Sequence, residues 1–131
     1  MGAWGTGSFD NDDAMDFVGE LRKKQISDIA AVMSEVIEQH GYLEAPSCSV
    51  AIAAAETVAA AKGAPASDAP PDLLAWAKKN KAEVNADLIA SALKAVSRIR
   101  ADSELKELWE EGNATNEWHE HLDALAKRLG G

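Results

Sequence analysis

The sequence contains few of the large apolar side chains that usually fill a protein core. Leu, Ile, Val and Phe together account for 26 of its 131 residues, and aromatic residues make up 5%. With a net charge of −9, this content lies close to the range of disordered chains. Alanine, the best helix former, contributes another 26 residues. The composition therefore predicts an ordered, helical protein whose helices approach one another closely.

Cysteine and long apolar segments are also scarce. The single cysteine cannot form an internal disulfide and favours a reducing compartment. The longest apolar run, Val50–Ala55, is far shorter than the roughly 20 residues that span a bilayer. The N-terminus has neither the cationic nor the apolar segment of a secretory signal. We therefore expect a cytoplasmic protein without a membrane partner.

Positive charge is in short supply as well, since 13 Lys and Arg stand against 22 Asp and Glu. Such an acidic chain repels phosphate backbones, which predicts that no nucleic acid is a partner. The segment 72–101 is an exception, with six basic and three acidic residues. We expect its cations to pair with acidic neighbours; a phosphate site there is the alternative.

Apolar residues recur every three or four positions along most of the chain, and no segment alternates as a strand does. The pattern predicts an all-α single domain over residues 1–131, a bundle of about seven helices. Asp10 or Asn11 is expected to cap the first helix. The second, third and fourth helices are expected to run from Ser27 to a stop at Gly41, from Pro46 to Gly63 and from Asp72 to Asn80. Asn85 is expected to cap the fifth helix, and Ser103 the sixth, which stops at Gly112. The seventh helix is expected from Thr115 to Leu129.

The first nine residues are rich in glycine, with Trp4 and Phe9 as their large side chains. Glycines at this density favour tight, irregular backbone. We expect a structural loop that packs on the helices through the two aromatic rings, rather than a mobile arm or a ligand-binding loop.

The densest group of carboxylates lies at the start of the first predicted helix and along it, and comprises Asp10, Asp12, Asp13, Asp16 and Glu20. Hard cations such as Mg²⁺ take oxygen ligands of this kind, but the run lacks the spacing and the glycine of an EF-hand loop. Helix capping and a solvated acidic face account for it, so no metal site is predicted. Were a metal bound, Asp12, Asp13 and Asp16 would be its ligands.

Glu56 stands within an alanine-rich segment that is apolar on almost all sides, so we expect it to be buried. A buried carboxylate must be paired, hydrogen-bonded or protonated. The partners considered are Arg98, Arg100, a tryptophan N–H and the backbone N–H groups of the glycine-rich loop. Glu56 is interpreted as a structural tie, with a general acid or base as the alternative.

The three histidines and the cysteine are too scattered to form a zinc site, which needs four converging ligands. His119 is expected to pair with Asp123 one helical turn later. Cys48 near a helix start favours a lowered thiol pKa. Without a histidine partner in its motif, a catalytic role for this thiol is not expected.

The opening string Trp4-Gly-Thr-Gly-Ser-Phe9 with the acidic residues after it resembles the signature of DUF4259, a bacterial family of unknown function. The resemblance continues through Gly41–Ala45, Glu56 and its alanine-rich surroundings, Ser103–Glu110 and Trp118. Ser8 departs from it, since proline is more usual there. The resemblance implies a small bacterial helical protein and transfers no catalytic residue.

Two functions remain open. The first is a small acidic, non-enzymatic module that binds a protein, inhibitor-like or immunity-like towards a basic partner, with no cofactor. The alternative is a carboxylate-based, metal-assisted enzyme in which Glu56 converges with Asp12, Asp13 and Asp16. Glu56 and Asp13 are its candidate catalytic residues.

Overall fold

The computed structural model describes residues 5–130, and these form seven α-helices and no β-sheet. The predicted all-α fold of about seven helices is confirmed. Single 3₁₀ turns, Leu21–Lys23 and Lys81–Glu83, follow the first and fourth helices. The helices are α1 Asp12–Gly19, α2 Ile26–Glu38, α3 Ala45–Ala61, α4 Pro71–Asn80, α5 Ala86–Ala101, α6 Glu104–Glu111 and α7 Thr115–Leu129.

Helix α3 is the centre of the fold and contacts each of the other six helices. Thirteen of its 17 residues are buried, so it has no solvent-facing side along most of its length. A helix that is apolar all round belongs inside a protein. Its alanines leave room for six neighbours, which explains how a chain poor in large apolar residues still forms a core.

The buried apolar side chains form one cluster to which all seven helices contribute. The largest fully buried ones come from elements on every side of α3: Leu21, Ile29, Met33, Leu43, Leu73, Ile99, Leu122, Leu125 and Leu129. Between residues 5 and 130, no helix has the length and apolar content needed to cross a membrane.

Three helix starts with a capping Asn or Ser are predicted correctly. Asn11, rather than Asp10, caps α1 by accepting a hydrogen bond from the Ala14 N–H. Asn85 and Ser103 cap α5 and α6 in the same way. Gly63 follows the end of α3 and has a φ of +109°, a left-handed conformation that favours glycine and does not continue the helix.

Four boundaries differ from expectation. Helix α2 begins at Ile26 because Gln25 and Asp28 form a capping box. It ends at Glu38, short of Gly41, because Gln39 is already extended and Arg98 of α5 donates to the Ile37 carbonyl. Helices α3 and α4 each begin one residue before the predicted position, at Ala45 and Pro71.

The end of the glycine-rich segment contacts the helices. Phe9 is buried in the core, and the Thr6 hydroxyl donates to the Glu117 carboxylate of α7 at 3.0 Å. Trp4, the other expected anchor, lies outside the described residues. Thr6 and Phe9 therefore attach the described part of the loop to α7 and to the core.

Candidate functional site

Glu56 lies in the middle of α3, is only 3% exposed, and uses both carboxylate oxygens. The Arg128 guanidinium of α7 donates to Oε1 at 2.8 Å and to Oε2 at 3.1 Å. The Ser8 hydroxyl donates to Oε2 at 2.6 Å. A two-pronged arginine contact of this kind fixes both distance and orientation. Glu56 thus joins α3, α7 and the N-terminal loop.

The expected cationic partners of Glu56 are wrong. Arg98 is directed to the carbonyls of Ile37 and Gly41, and Arg100 binds Asp123 with its Nε 2.8 Å from Oδ1. The loop supplies a side-chain hydroxyl in place of the expected backbone N–H. The predicted His119–Asp123 pair is also wrong, because Arg100 takes the Asp123 carboxylate.

The surroundings of Glu56 favour a structural role over acid–base chemistry. A general acid or base must reach the proton that it transfers, whereas both oxygens of Glu56 are bound within the protein. A cavity of about 20 Å³ lies between the N-terminal loop and α3, α6 and α7. Ser8 lines this cavity and Glu56 does not, and the cavity has room for about one water molecule.

Two glycines let the N-terminal loop close around Asp10. A Cβ atom at Gly5 would lie 2.6 Å from Asp10 Oδ2, and one at Gly7 would lie 2.7 Å from it. The same oxygen accepts a hydrogen bond from the Gly7 N–H at 3.2 Å. The loop is therefore shaped by its contact with a carboxylate of its own chain, which places Ser8 against Glu56.

The carboxylates of α1 do not converge on Glu56. Asp12, Asp13 and Asp16 are all exposed, whereas Glu56 is enclosed. Across residues 5–130, no three His, Cys, Asp or Glu side chains are placed to hold a metal ion together. Asp12 and Asp13 lie in the first turn of α1, where negative charge stabilises a helix.

Cys48 is fully buried in α3, and burial raises its thiol pKa from 9.0 to about 11. The expected lowered pKa is wrong, because the loss of water around the thiolate outweighs the position near a helix start. The Ser103 hydroxyl opposes the shift without reversing it. Cys48 is therefore a core residue in its protonated form.

Tyr42, between α2 and α3, is the most exposed large side chain among the described apolar and aromatic residues, at 51%. Its hydroxyl donates to Glu107 of α6 at 2.8 Å. This hydrogen bond, followed by desolvation and by the negative charges of Glu107, Glu104 and Asp102, raises the tyrosine pKa to about 12. The phenol thus stays protonated and points into a group of carboxylates.

Two backbone contacts join the segment around Tyr42 to α6. The Glu104 N–H donates to the Leu43 carbonyl at 2.9 Å, and Glu104 Oε1 accepts from the Ala45 N–H at 2.7 Å. Residues 38–45 and 102–111 thereby form one surface, which we call the Tyr42 face. The two segments contain seven carboxylates, His40, and one lysine, Lys106, which is itself paired with Glu110. The Arg98 guanidinium of α5 also lies at this face, where it donates to the Gly41 carbonyl.

Sequence reasoning missed the Tyr42 face because its two segments lie some 60 positions apart. The available signals were the lone tyrosine and the acidic run of α6, and neither indicates that they meet. Their contact depends on how α2, α3 and α6 pack, which no local pattern specifies.

The chain matches a known protein family. A family model described as Domain of unknown function (DUF4259) matches residues 2–121. The chain belongs to the DUF4259 family. No curated protein and no solved structure matches the sequence.

The matched part of the DUF4259 protein includes Glu56, Ser8 and the whole Tyr42 face. It ends before Arg128, the cation that holds Glu56. The buried ion pair therefore joins a residue inside the family match to one beyond its end.

Proposed function

We propose that this DUF4259 protein is a non-enzymatic, acidic protein-binding module whose Tyr42 face binds a basic protein. The observation that carries the proposal is the half-exposed Tyr42 ring among carboxylates of α6. Covering the basic surface of a partner in this way corresponds to an inhibitor-like or immunity-like role.

The charge of the Tyr42 face supports a basic partner. Seven carboxylates lie there, in a protein whose net charge is −9, and its one lysine is engaged by Glu110. A surface with a large excess of negative charge attracts basic proteins from a distance and raises their rate of association. The same surface repels nucleic acids and acidic proteins, so basic proteins are the partners that it favours.

Tyr42 adds a large aromatic surface to the carboxylates, and burial of that surface against a partner contributes binding free energy. Tyrosine is enriched among the residues that dominate binding energy. The hydrogen bond to Glu107 holds the ring in one orientation before any partner arrives, so less side-chain entropy is lost on binding. An anchor ring within a charged rim is the usual anatomy of such interfaces.

The proposal includes a cytoplasmic location and neither a membrane nor a nucleic-acid partner. A single, buried, free cysteine suits a reducing compartment, where disulfides do not persist. No cofactor is needed for binding of this kind.

The test is affinity capture from a lysate of the source organism with four forms of the protein. The wild type is compared with Tyr42→Ala and Glu107→Lys, which change the Tyr42 face. Asp16→Lys is the matched control, because it makes the same charge reversal on the exposed side of α1. Circular dichroism verifies that all four forms are folded.

The proposal predicts that the wild type and Asp16→Lys retain the same basic protein, and that Tyr42→Ala and Glu107→Lys lose it. Capture of an acidic protein, or equal capture by all four forms, would contradict the proposal. If Asp16→Lys were the only form that failed to capture the protein, the binding surface would lie on α1 instead.

A further inference from the structure

A cleft between the turn that follows α1 and helix α4 has the opposite charge to the Tyr42 face. Four basic side chains line it, those of Arg22, Lys23, Lys24 and Lys79, together with two acidic ones, those of Asp72 and Glu83. Its volume is about 690 Å³, within the range of small-molecule binding sites. We propose that this cleft binds a small hydroxylated organic phosphate, such as a sugar phosphate or a nucleoside monophosphate.

The walls of the cleft are fixed to each other before any ligand binds. The indole Nε1 of Trp76 in α4 donates to the Lys24 carbonyl at 2.9 Å. Leu21, in the same 3₁₀ turn as Arg22 and Lys23, is fully buried in the core. The basic residues therefore project from a backbone that is anchored on both sides, which lowers the entropy lost on binding.

The four basic groups of the cleft are not paired with its two carboxylates. Within residues 5–130 they form no salt bridge, whereas Arg100, Lys106 and Arg128 each do. Lys24 instead lies over the Phe17 ring, with Nζ 5.8 Å from the ring centre. Cations gathered in one cleft repel each other, and an anion placed among them removes that repulsion.

The mixture of groups in the cleft indicates what the anion carries. Arginine binds a phosphate through two parallel hydrogen bonds, and lysine acts on it as a point charge. The carboxylates of Asp72 and Glu83 accept hydrogen bonds from hydroxyl groups. They would repel a long polyanion, as would the net charge of −9. One compact phosphate with hydroxyl groups beside it satisfies both kinds of side chain.

The expectation from sequence anticipated only part of this cleft. The sequence places the alternative phosphate site within residues 72–101, but Lys79 is the one basic residue of that segment that lines the cleft. The other three come from the consecutive run Arg22-Lys23-Lys24. The hydrogen bond from Trp76 to the Lys24 carbonyl brings the two segments together.

Isothermal titration calorimetry tests the proposal with ribose 5-phosphate, glucose 6-phosphate and adenosine monophosphate. Ribose supplies the hydroxyl groups without the phosphate, and inorganic phosphate supplies the anion alone. The variants are Arg22→Gln and Lys79→Gln, with Lys94→Gln as the control, since Lys94 is exposed on α5 and does not line the cleft. Thermal melts verify that each variant is folded.

We expect at least one organic phosphate to bind with one-to-one stoichiometry and more tightly than ribose or inorganic phosphate. Arg22→Gln and Lys79→Gln should each weaken it about tenfold or more, the effect of losing one charged hydrogen bond, while Lys94→Gln binds as the wild type does. The proposal is overturned if none of the three phosphates binds, if inorganic phosphate binds equally tightly, or if Lys94→Gln weakens binding as much as the cleft variants. Tighter binding of a single-stranded oligonucleotide would also overturn it.

The cleft and the Tyr42 face share no residue. The outcome of the titration therefore leaves the proposed protein partner untouched, and the capture experiment leaves the phosphate site untouched.

Discussion

The Glu56 group and the Tyr42 face contain similar hydrogen bonds in different surroundings. Ser8 donates to Glu56 at 2.6 Å inside the protein, and Tyr42 donates to Glu107 at 2.8 Å on its surface. A buried charge that loses its partner destabilises a protein strongly, whereas an exposed pair contributes little. The same chemistry therefore holds the fold together at Glu56 and is available to a partner around Tyr42.

The two regions also differ in how many carboxylates they have for each cation. Glu56 is one carboxylate with a full set of donors, whereas the Tyr42 face has seven carboxylates and one lysine. Among the seven, Glu104 accepts a hydrogen bond from the start of α3, at the Ala45 N–H. Variants of the two regions should accordingly affect different measurements.

The largest effect on stability is expected for Arg128→Met, which leaves the buried Glu56 carboxylate without a cation. Removing one partner of such a pair lowers the free energy of unfolding by about 3–5 kcal/mol. Urea denaturation measures the change. Lys127→Met is the matched control, because it removes an exposed charge from the preceding position of α7.

A double variant sharpens this prediction. Glu56→Met combined with Arg128→Met removes both charges and should be more stable than Arg128→Met alone, because no buried charge is left uncompensated. If Arg128→Met unfolds at the same urea concentration as Lys127→Met, Glu56 does not tie the helices together.

Cys48 gives the next largest effect, at alkaline pH. Its folded pKa of about 11 lies above the unfolded value of 9.0, so its stabilisation is complete below pH 9 and is lost as the pH rises towards 11. The loss amounts to about 2 kcal/mol. The readout is the difference in unfolding free energy between the wild type and Cys48→Ala from pH 8 to 11, because other groups titrate equally in both.

The prediction for Cys48 fails if that difference is constant over the whole range. Reaction of the native thiol with a maleimide should also be slow at neutral pH and become fast on addition of urea. Rapid modification without denaturant would show that the thiol is accessible.

The smallest effect on stability is expected for Tyr42→Phe. At neutral pH its melting temperature should equal that of the wild type, because an exposed hydrogen bond to a carboxylate contributes little. The side chain still has a clear spectroscopic signature, since Tyr42 is the only tyrosine. Phenolate absorbance should give a pKa of about 12 in the wild type, and Glu107→Gln should shift it towards 10.0. A wild-type value near 10.0 would contradict the contact with Glu107.

Local signals in the sequence predict most of the fold. Asn85 and Ser103 cap helices through bonds to residues three positions away, and such short-range contacts can be inferred from spacing alone. The end of α2 is different, because Arg98 supplies its hydrogen bond from α5. A cap provided by another helix leaves no trace near Gly41.

The candidate sites depend on long-range contacts, so less of them is predictable. The burial of Glu56 follows from the alanines around it, but its partner does not. Arg98, Arg100 and Arg128 are equally able to pair with it in chemical terms, and the packing of α7 against α3 selects Arg128. The joining of Tyr42 to Glu107, and of Arg22 to Lys79 in one cleft, depends on tertiary structure in the same way.

The central claim is that Tyr42 lies at the surface where a protein partner binds. It is tested most directly by placing a photoreactive benzoylphenylalanine at position 42 and irradiating cells of the source organism. The same residue at position 15 is the control, because Met15 is also exposed, at 38%, and lies on α1. Our account predicts a covalent adduct with a basic protein from position 42, its loss when Glu107→Lys is added, and no adduct from position 15. The account is contradicted if both positions give the same adducts, or if the adduct from position 42 survives Glu107→Lys.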